Sequence, residues 1–282
     1  MVLSPALAES LLFQPSRGDP GDPPILAGVQ GRSLRLLTSD GVTIQAWWYP
    51  VGEAGRRDDL TASQSDFPPP APAVLFLHGN AGDISHRTPM ASGLLREGCS
   101  VLLLEYRGYG GSEGSPSEEG LHLDALAGYD FLAEALGGPG SIVVLGRSMG
   151  GAVAARLAVT RPTGGLVLES AFTSLEDMAR TLYPFLPGFL FRRLRGHFDT
   201  RARIRDVDVP VLVVHGTEDE IVPFRMGRIL YEAAGASGEW LEVAGAGHND
   251  VAWVGGEGYY RALGGFIRAS VRAGPREDDP PC

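Results

Sequence analysis

Ser141-Ile142-Val143-Val144-Leu145-Gly146-Arg147-Ser148-Met149-Gly150, running on into Gly151-Ala152-Val153-Ala154-Ala155-Arg156-Leu157-Ala158, decides how this chain is read. The first five residues form an apolar run of buried-strand type, and the segment from Ala152 reads as a helix. Between them lies G-x-S-x-G. In a strand–turn–helix context this motif is a nucleophile elbow, a turn too tight for side chains next to the serine. Ser148 is therefore expected in a strained backbone conformation, with its Oγ lifted clear of the sheet and facing a base.

Outward from the elbow, short apolar runs alternate with helical patterns, the signature of a parallel sheet covered by helices on both faces. The strand runs are Ala73–Leu77, Ser100–Leu104, Ser141–Leu145, Leu166–Leu168, Val211–Val214 and Trp240–Val243. Helices are expected over Thr88–Glu97, Glu118–Leu136, Met149–Val159, Arg225–Ala234 and Gly258–Arg272. Two further runs, Ser33–Thr38 and Thr43–Tyr49, flank the turn signal Ser39-Asp40-Gly41 and open the fold as a hairpin. The expected organisation is an N-terminal extension over 1–32, one large α/β domain over 33–273, and a polar, disordered tail over 274–282. Gly52 to Pro72, polar and then Pro-rich, reads as a mobile surface loop.

Ser170 to Asp208 breaks the alternation. Its aromatic, amphipathic middle, from Met178 to Phe191, is interrupted by Pro184 and Pro187 and so reads as short helices. Some of it must be crossover packed on the sheet. The segment, over approximately 171–208, also reads as a small helical cap over the elbow, supplying an apolar wall for an acyl chain.

Composition narrows the function. The formal charge is −10, and all 24 basic residues are arginine. An acidic chain whose one locally basic stretch is Arg192-Arg193-Leu194-Arg195 is a poor nucleic-acid binder, because that activity rests on neutralising phosphates. Cys99 and Cys282 sit in a buried strand and a polar tail, so a disulfide framework is not expected. With no stretch long enough to span a bilayer and no signal-peptide pattern, the chain reads as soluble and cytoplasmic, without stable membrane insertion. No His/Cys/Asp cluster has metal-ligand spacing, so neither a metal nor another cofactor is expected.

A serine needs a base, and the base needs a third group to orient it. Among the six histidines, His248 lies in the glycine-rich loop Ala244–Asp250 after the last strand, where a ring can reach back to Ser148. His78 and His215 occur as His-Gly at strand ends and read as turn-shaping; His86, His122 and His197 read as surface or packed residues. For the acid, spacing leaves Glu218, Asp219 and Glu220 open, with Glu169 a further possibility. The oxyanion hole is expected from the backbone N–H groups of Met149, directly after the nucleophile, and Asn80, after Gly79.

His78-Gly79-Asn80-Ala81-Gly82, Tyr106-Arg107-Gly108-Tyr109-Gly110-Gly111-Ser112, the elbow, His215-Gly216-Thr217-Glu218-Asp219-Glu220 and Gly247-His248-Asn249-Asp250 together resemble the α/β-hydrolase superfamily from about Ser33 to about Val271. The likeness is narrower to its small-cap branch, which includes the bud-emergence-type hydrolases and the protein depalmitoylases. That resemblance implies a mostly parallel central sheet with helices on both faces and a small cap. It implies the acid role for Asp219 and a rim-shaping role for the loop that begins at Tyr106. Tyr106, with Tyr183, Phe185 and Phe189 of the cap, is the expected substrate contact. Membrane-associated relatives carry an N-terminal hydrophobic or Cys-rich segment that this sequence lacks, which favours a soluble esterase. The expected activity is a serine hydrolase acting on small-molecule carboxylic esters of short to medium acyl chain. Thioester or amide cleavage on the same triad is the alternative, and a non-catalytic binding module the third reading.

Overall fold

The computed structural model describes residues 13–52 and 71–273. The expectations for the 53–70 stretch, the 274–282 tail and Cys282 lie outside the described residues.

The strands are β1 (Gln14–Pro15), β2 (Arg32–Leu37), β3 (Thr43–Tyr49), β4 (Ala73–Leu77), β5 (Ala81–Gly82), β6 (Ser100–Leu104), β7 (Ile142–Arg147), β8 (Gly165–Glu169), β9 (Val211–Gly216) and β10 (Gly238–Val243). The helices are α1 (Thr88–Arg96), α2 (Glu118–Leu136), α3 (Met149–Thr160), α4 (Leu175–Leu182), α5 (Thr200–Ile204), α6 (Phe224–Ala234) and α7 (Val251–Ala273). An eight-stranded sheet in the order β10-β9-β8-β7-β4-β6-β3-β2 carries the fold. The β2–β3 hairpin is antiparallel and β3 is antiparallel to β6, while every pairing from β6 to β10 is parallel.

The central strands are buried on both faces, and their alternation sorts the core into two layers. Leu75, Leu77 and Val144 point to the layer with α2 and α3; Val74, Phe76 and Val143 point to the layer with Met90 and Leu94 of α1 and Leu263 and Ile267 of α7. From β4 the chain crosses to β6 on one side and then back to β7 on the other. The carboxyl ends of β4 and β7 therefore adjoin at a switch point, where open α/β sheets bind ligands. Leu77 pairs with Gly146 there, bringing the His78–Gly82 loop beside the elbow.

The strands stand where the sequence reading puts them, with longer ends at the functional edge. β7 continues to Arg147 because Arg147 pairs with Glu169, and β9 continues to Gly216 because Gly216 pairs with Val243. The last helix starts seven residues earlier than expected, at Val251 rather than Gly258, and breaks at Gly256, whose φ is 53°. The glycine-rich sequence around the break hides the helical periodicity.

The cap segment ends its first helix at Leu182, before Pro184, and resumes as a 3₁₀ turn over Gly188–Leu194, after Pro187. Its inner side chains Met178, Phe191, Leu194 and Phe198 join the core. Glu118 at the start of α2 holds the segment by accepting hydrogen bonds from the Phe198 amide (2.8 Å) and Arg203 Nη2 (2.8 Å). Residues 13–31 lie against the body of the domain. Phe13 is buried edge-on against Phe198, and β1 pairs with β5 in the loop after β4.

Candidate active site

Ser148 occupies φ 53°, ψ −119°, a region that costs a non-glycine residue about 1–3 kcal/mol. Its amide donates to the Glu169 carbonyl at 2.8 Å, which holds the turn against the next strand. The flanking glycines are required by space. A Cβ on Gly150 would collide with the Leu77 carbonyl and stand 2.6 Å from that of His78; one on Gly146 would run into the Gly150 carbonyl. Ser148 is partly exposed, and its hydroxyl makes no hydrogen bond among the described residues.

His248 and Asp219 meet at the ends of β10 and β9. His248 Nδ1 lies 2.8 Å from Asp219 Oδ2 and 3.1 Å from Oδ1. Asp219 also accepts from the amides of Val222 (2.7 Å) and Ile221 (3.0 Å) through Oδ1. His215 Nε2 stands 3.3 Å from its Oδ2. Burial alone would raise the Asp219 carboxyl, but the hydrogen bonds from His215 and His248 outweigh it and hold the group below the usual carboxylate range. An ionised carboxylate only accepts, so His248 Nδ1 carries a proton, and in the neutral ring the lone pair then belongs to Nε2. His215 Nε2 likewise carries a proton, since its other contact is the Val222 carbonyl at 2.9 Å.

The loops bearing Asp219 and His248 are laced together. The Thr217 and Glu218 amides donate to the Val243 and Ala246 carbonyls, and Glu220 Oε2 accepts from the His248 amide at 3.2 Å.

The backbone N–H groups of Asn80 and Met149 find no acceptor among the described residues, and Met149 is the first residue of α3, where the helix dipole favours negative charge. The two loops are in contact: a Cβ on Gly79 would lie 3.3 Å from Ser148 Cβ. Asn80's side chain is fixed from both sides, accepting from the Gln14 amide (2.8 Å) and the Tyr109 hydroxyl (3.2 Å). Beneath it, buried His78 places Nε2 3.1 Å from buried Glu105.

Several expectations need correction or extension. Tyr106 has no exposed surface: it stacks on His78 with ring centroids 4.5 Å apart, so it braces the Asn80 loop from inside and cannot touch substrate. Glu169 does not reach His248; it pairs with Arg147 Nε at 3.2 Å and accepts from the Tyr259 hydroxyl. Tyr183, Phe185 and Phe189 are exposed on the cap segment, Phe185 at 78%. His215, read as turn-shaping, also approaches the Asp219 carboxylate. Arg147, the variable residue of the elbow, carries a role not visible in the motif: its Nη2 donates to the His248 carbonyl (2.7 Å) and to Asn249 Oδ1 (3.1 Å). Its signal in sequence is a charged residue at the end of a fully apolar strand.

Among the described residues no group of His, Cys, Asp and Glu is arranged to hold a metal, and no helix is long and apolar enough to cross a membrane.

Comparison with known proteins bears on the fold and the family. The family model described as "alpha/beta hydrolase fold" matches residues 72–200. The chain is 38% identical over 266 residues to an uncharacterized protein of Mycobacterium tuberculosis, covering 94% of this chain and 88% of that one. It is 34% identical to protein bem46 of Schizosaccharomyces pombe, covering 83% and 75%. It is also 34% identical to a lysophosphatidylserine lipase of Danio rerio, covering 72% and 58%. A solved esterase of Pyrococcus furiosus superposes with a TM-score of 0.71 at 21% identity, covering 92% of this chain and 98% of that one, a likeness of fold.

Proposed function

This chain belongs to the alpha/beta-hydrolase family, of the bem46 type, and from that premise we propose that it is a serine hydrolase of carboxylic esters working through an acyl-enzyme. In this reading His248 Nε2 takes the Ser148 proton as Oγ attacks the ester carbonyl carbon. Asp219 keeps the imidazole in the tautomer the step requires and stabilises the imidazolium that forms. The Asn80 and Met149 amides receive the developing oxyanion. As the carbonyl re-forms, His248 returns the proton to the departing alcohol, leaving Ser148 acylated. A water deprotonated by His248 then attacks the acyl carbon, and the acid leaves as Ser148 recovers its proton.

The observation that carries this reading is the Asp219–His248 contact at 2.8 Å, formed by loops from neighbouring strands on the edge that also presents strained Ser148. The exposed rings of Tyr183, Phe185 and Phe189 are proposed as the apolar wall for the acyl chain. The lipase relative supports an ester substrate with an apolar part. A ladder of p-nitrophenyl esters from acetate to palmitate, run on wild type and Ser148→Ala, tests the proposal. Turnover lost in the variant, with a maximum at one chain length, is the expected result. A wild type inert across the ladder overturns it and moves the test to matched thioesters and anilides.

A further inference from the structure

A cavity of ≈ 720 Å³ opens beside the catalytic loops, walled by the first turn of α1, the start of α7 and the side chain of Arg147. Ser148 and His248 do not line it, but their neighbours Arg147 and Asn249 do. In a chain of net charge −10 this hollow is cationic. Three guanidiniums, of Arg87, Arg96 and Arg147, line it against two carboxylates: Glu169, which pairs with Arg147 and accepts from Tyr259, and exposed Glu257, 3.4 Å from Arg261.

Two of the guanidiniums are under-used. Arg87 Nη2 donates to the Ala81 carbonyl, its buried Nε has no hydrogen-bond partner, and it forms no ion pair among the described residues. Arg147 spends Nη2 on the His248 loop and holds Nε 3.2 Å from Glu169 as an ion pair, without a hydrogen bond among the described residues. Nη1 of each finds no acceptor among the described residues. Burial first, and then the nearby Arg147 charge, pushes the Arg87 guanidinium down from its ordinary value, against the opposing pull of Glu105 and Asp83. Met90, Tyr260 and the 87%-exposed Trp253 supply an apolar flank to the same space.

We propose that this cavity is a binding site for an oxyanion, a carboxylate or phosphate group, held between Arg87 and Arg147, with any apolar body attached to it lying along Met90, Trp253 and Tyr260. Planar guanidiniums with free N–H donors suit such groups, and charge-assisted bonds to them are the strong ones. Arg87 holds the loop of the oxyanion donor and Arg147 the loop of the base, so an anion shared by both ties the two loops together. The anion is either one end of the substrate or a free ion; the substrate alternative rests on the ester-hydrolase reading, whereas binding itself does not.

The test has two arms. Inorganic phosphate and phenyl phosphate are titrated into Ser148→Ala, with and without Arg87→Gln or Arg87→Lys, followed by calorimetry and melting temperature. Saturable binding is expected, tighter for phenyl phosphate, weakened about tenfold or more by Arg87→Gln and partly restored by Arg87→Lys. Should Arg87→Gln fail to fold, Trp253→Ala, at an exposed position, is expected to remove the advantage of phenyl phosphate over phosphate. The second arm compares the p-nitrophenyl hemiester of succinate with its methyl-capped neutral counterpart. A preference for the anionic ester that falls about tenfold in Arg87→Gln assigns the anion to the substrate. Arg87-dependent phosphate binding without that preference supports the site as one for a free anion. Phosphate and phenyl phosphate that fail to bind, or that bind equally to every variant, overturn the proposal. Inactivity on both esters counts against the ester reading alone, leaving the binding arm to decide the site.

Discussion

Arg147 reaches from the residue before the nucleophile to the residue proposed as base, its Nη2 donating to the His248 carbonyl at 2.7 Å while its Nε faces buried Glu169. The guanidinium thus sets the position of the His248 loop relative to the elbow. Arg147→Met is expected to lower kcat by about 10- to 100-fold through mispositioning. It should also destabilise the fold by about 3 kcal/mol, because Glu169 is left buried without its counter-charge. Arg147→Met/Glu169→Gln should recover most of the stability and little of the kcat. Urea midpoints and ester kinetics on both variants check this; joint recovery would make Arg147 merely a structural cation.

In the proposed mechanism Asp219 serves the base as well as the fold. Asp219→Asn is expected to reduce kcat by about 10⁴-fold, since an amide can turn His248 to the wrong tautomer. The Asp219 carboxyl is depressed in the folded state, so its stabilisation is fully present above the ordinary carboxyl pKa and is lost as pH falls through the folded value. The variant should therefore show a flatter loss of stability on the acid side, read from melting temperatures across pH 2–5.

Backbone strain at the elbow can be measured directly. Ser148→Gly removes the Cβ at φ 53° and should raise stability by about 1 kcal/mol over Ser148→Ala, which keeps it. Both variants should be inactive. Equal urea midpoints at equal m values would mean that the turn stores no strain.

His122 is buried on α2, and its Nδ1 has no hydrogen-bond partner among the described residues. Burial, with Arg156 nearby, lowers its pKa to about 4. Its neutral form favours the fold, so this contribution is intact above about pH 6.5 and is lost as pH falls towards 4. At pH 5 the loss amounts to at most about 2 kcal/mol. His122→Gln should flatten the stability profile in that window, as seen by thermal melts.

Much of this site could be read in the sequence because its parts are written locally. Ser148 stands in a glycine turn directly after an apolar strand, and His248 in a glycine-rich loop five residues beyond β10. Glycines such as Gly146 and Gly150 report close approach to a neighbouring backbone. Asp219 could not be told from Glu218 and Glu220 by spacing, since the choice depends on which carboxylate turns inward to the two histidines. What stayed hidden are contacts between residues far apart in the chain: Arg147 with the His248 loop, His78 with Glu105, and the Gln14 amide on Asn80. A two-residue strand such as β1 has no periodicity to detect. Tyr106 failed for the same reason, because an aromatic in a glycine-rich loop has the same local pattern whether it faces solvent or a buried imidazole.

His215 and the amides of Ile221 and Val222 grip Asp219 independently of the base it would serve. Cutting His248 back to glycine would leave a preformed niche, charged at its inner end and open towards Ser148. Such a niche suits a borrowed base. Imidazole added from solution should enter it, donate to the waiting carboxylate and restore part of the Ser148 reactivity towards a fluorophosphonate, whereas N-methylimidazole, which when neutral has no N–H to give, should not.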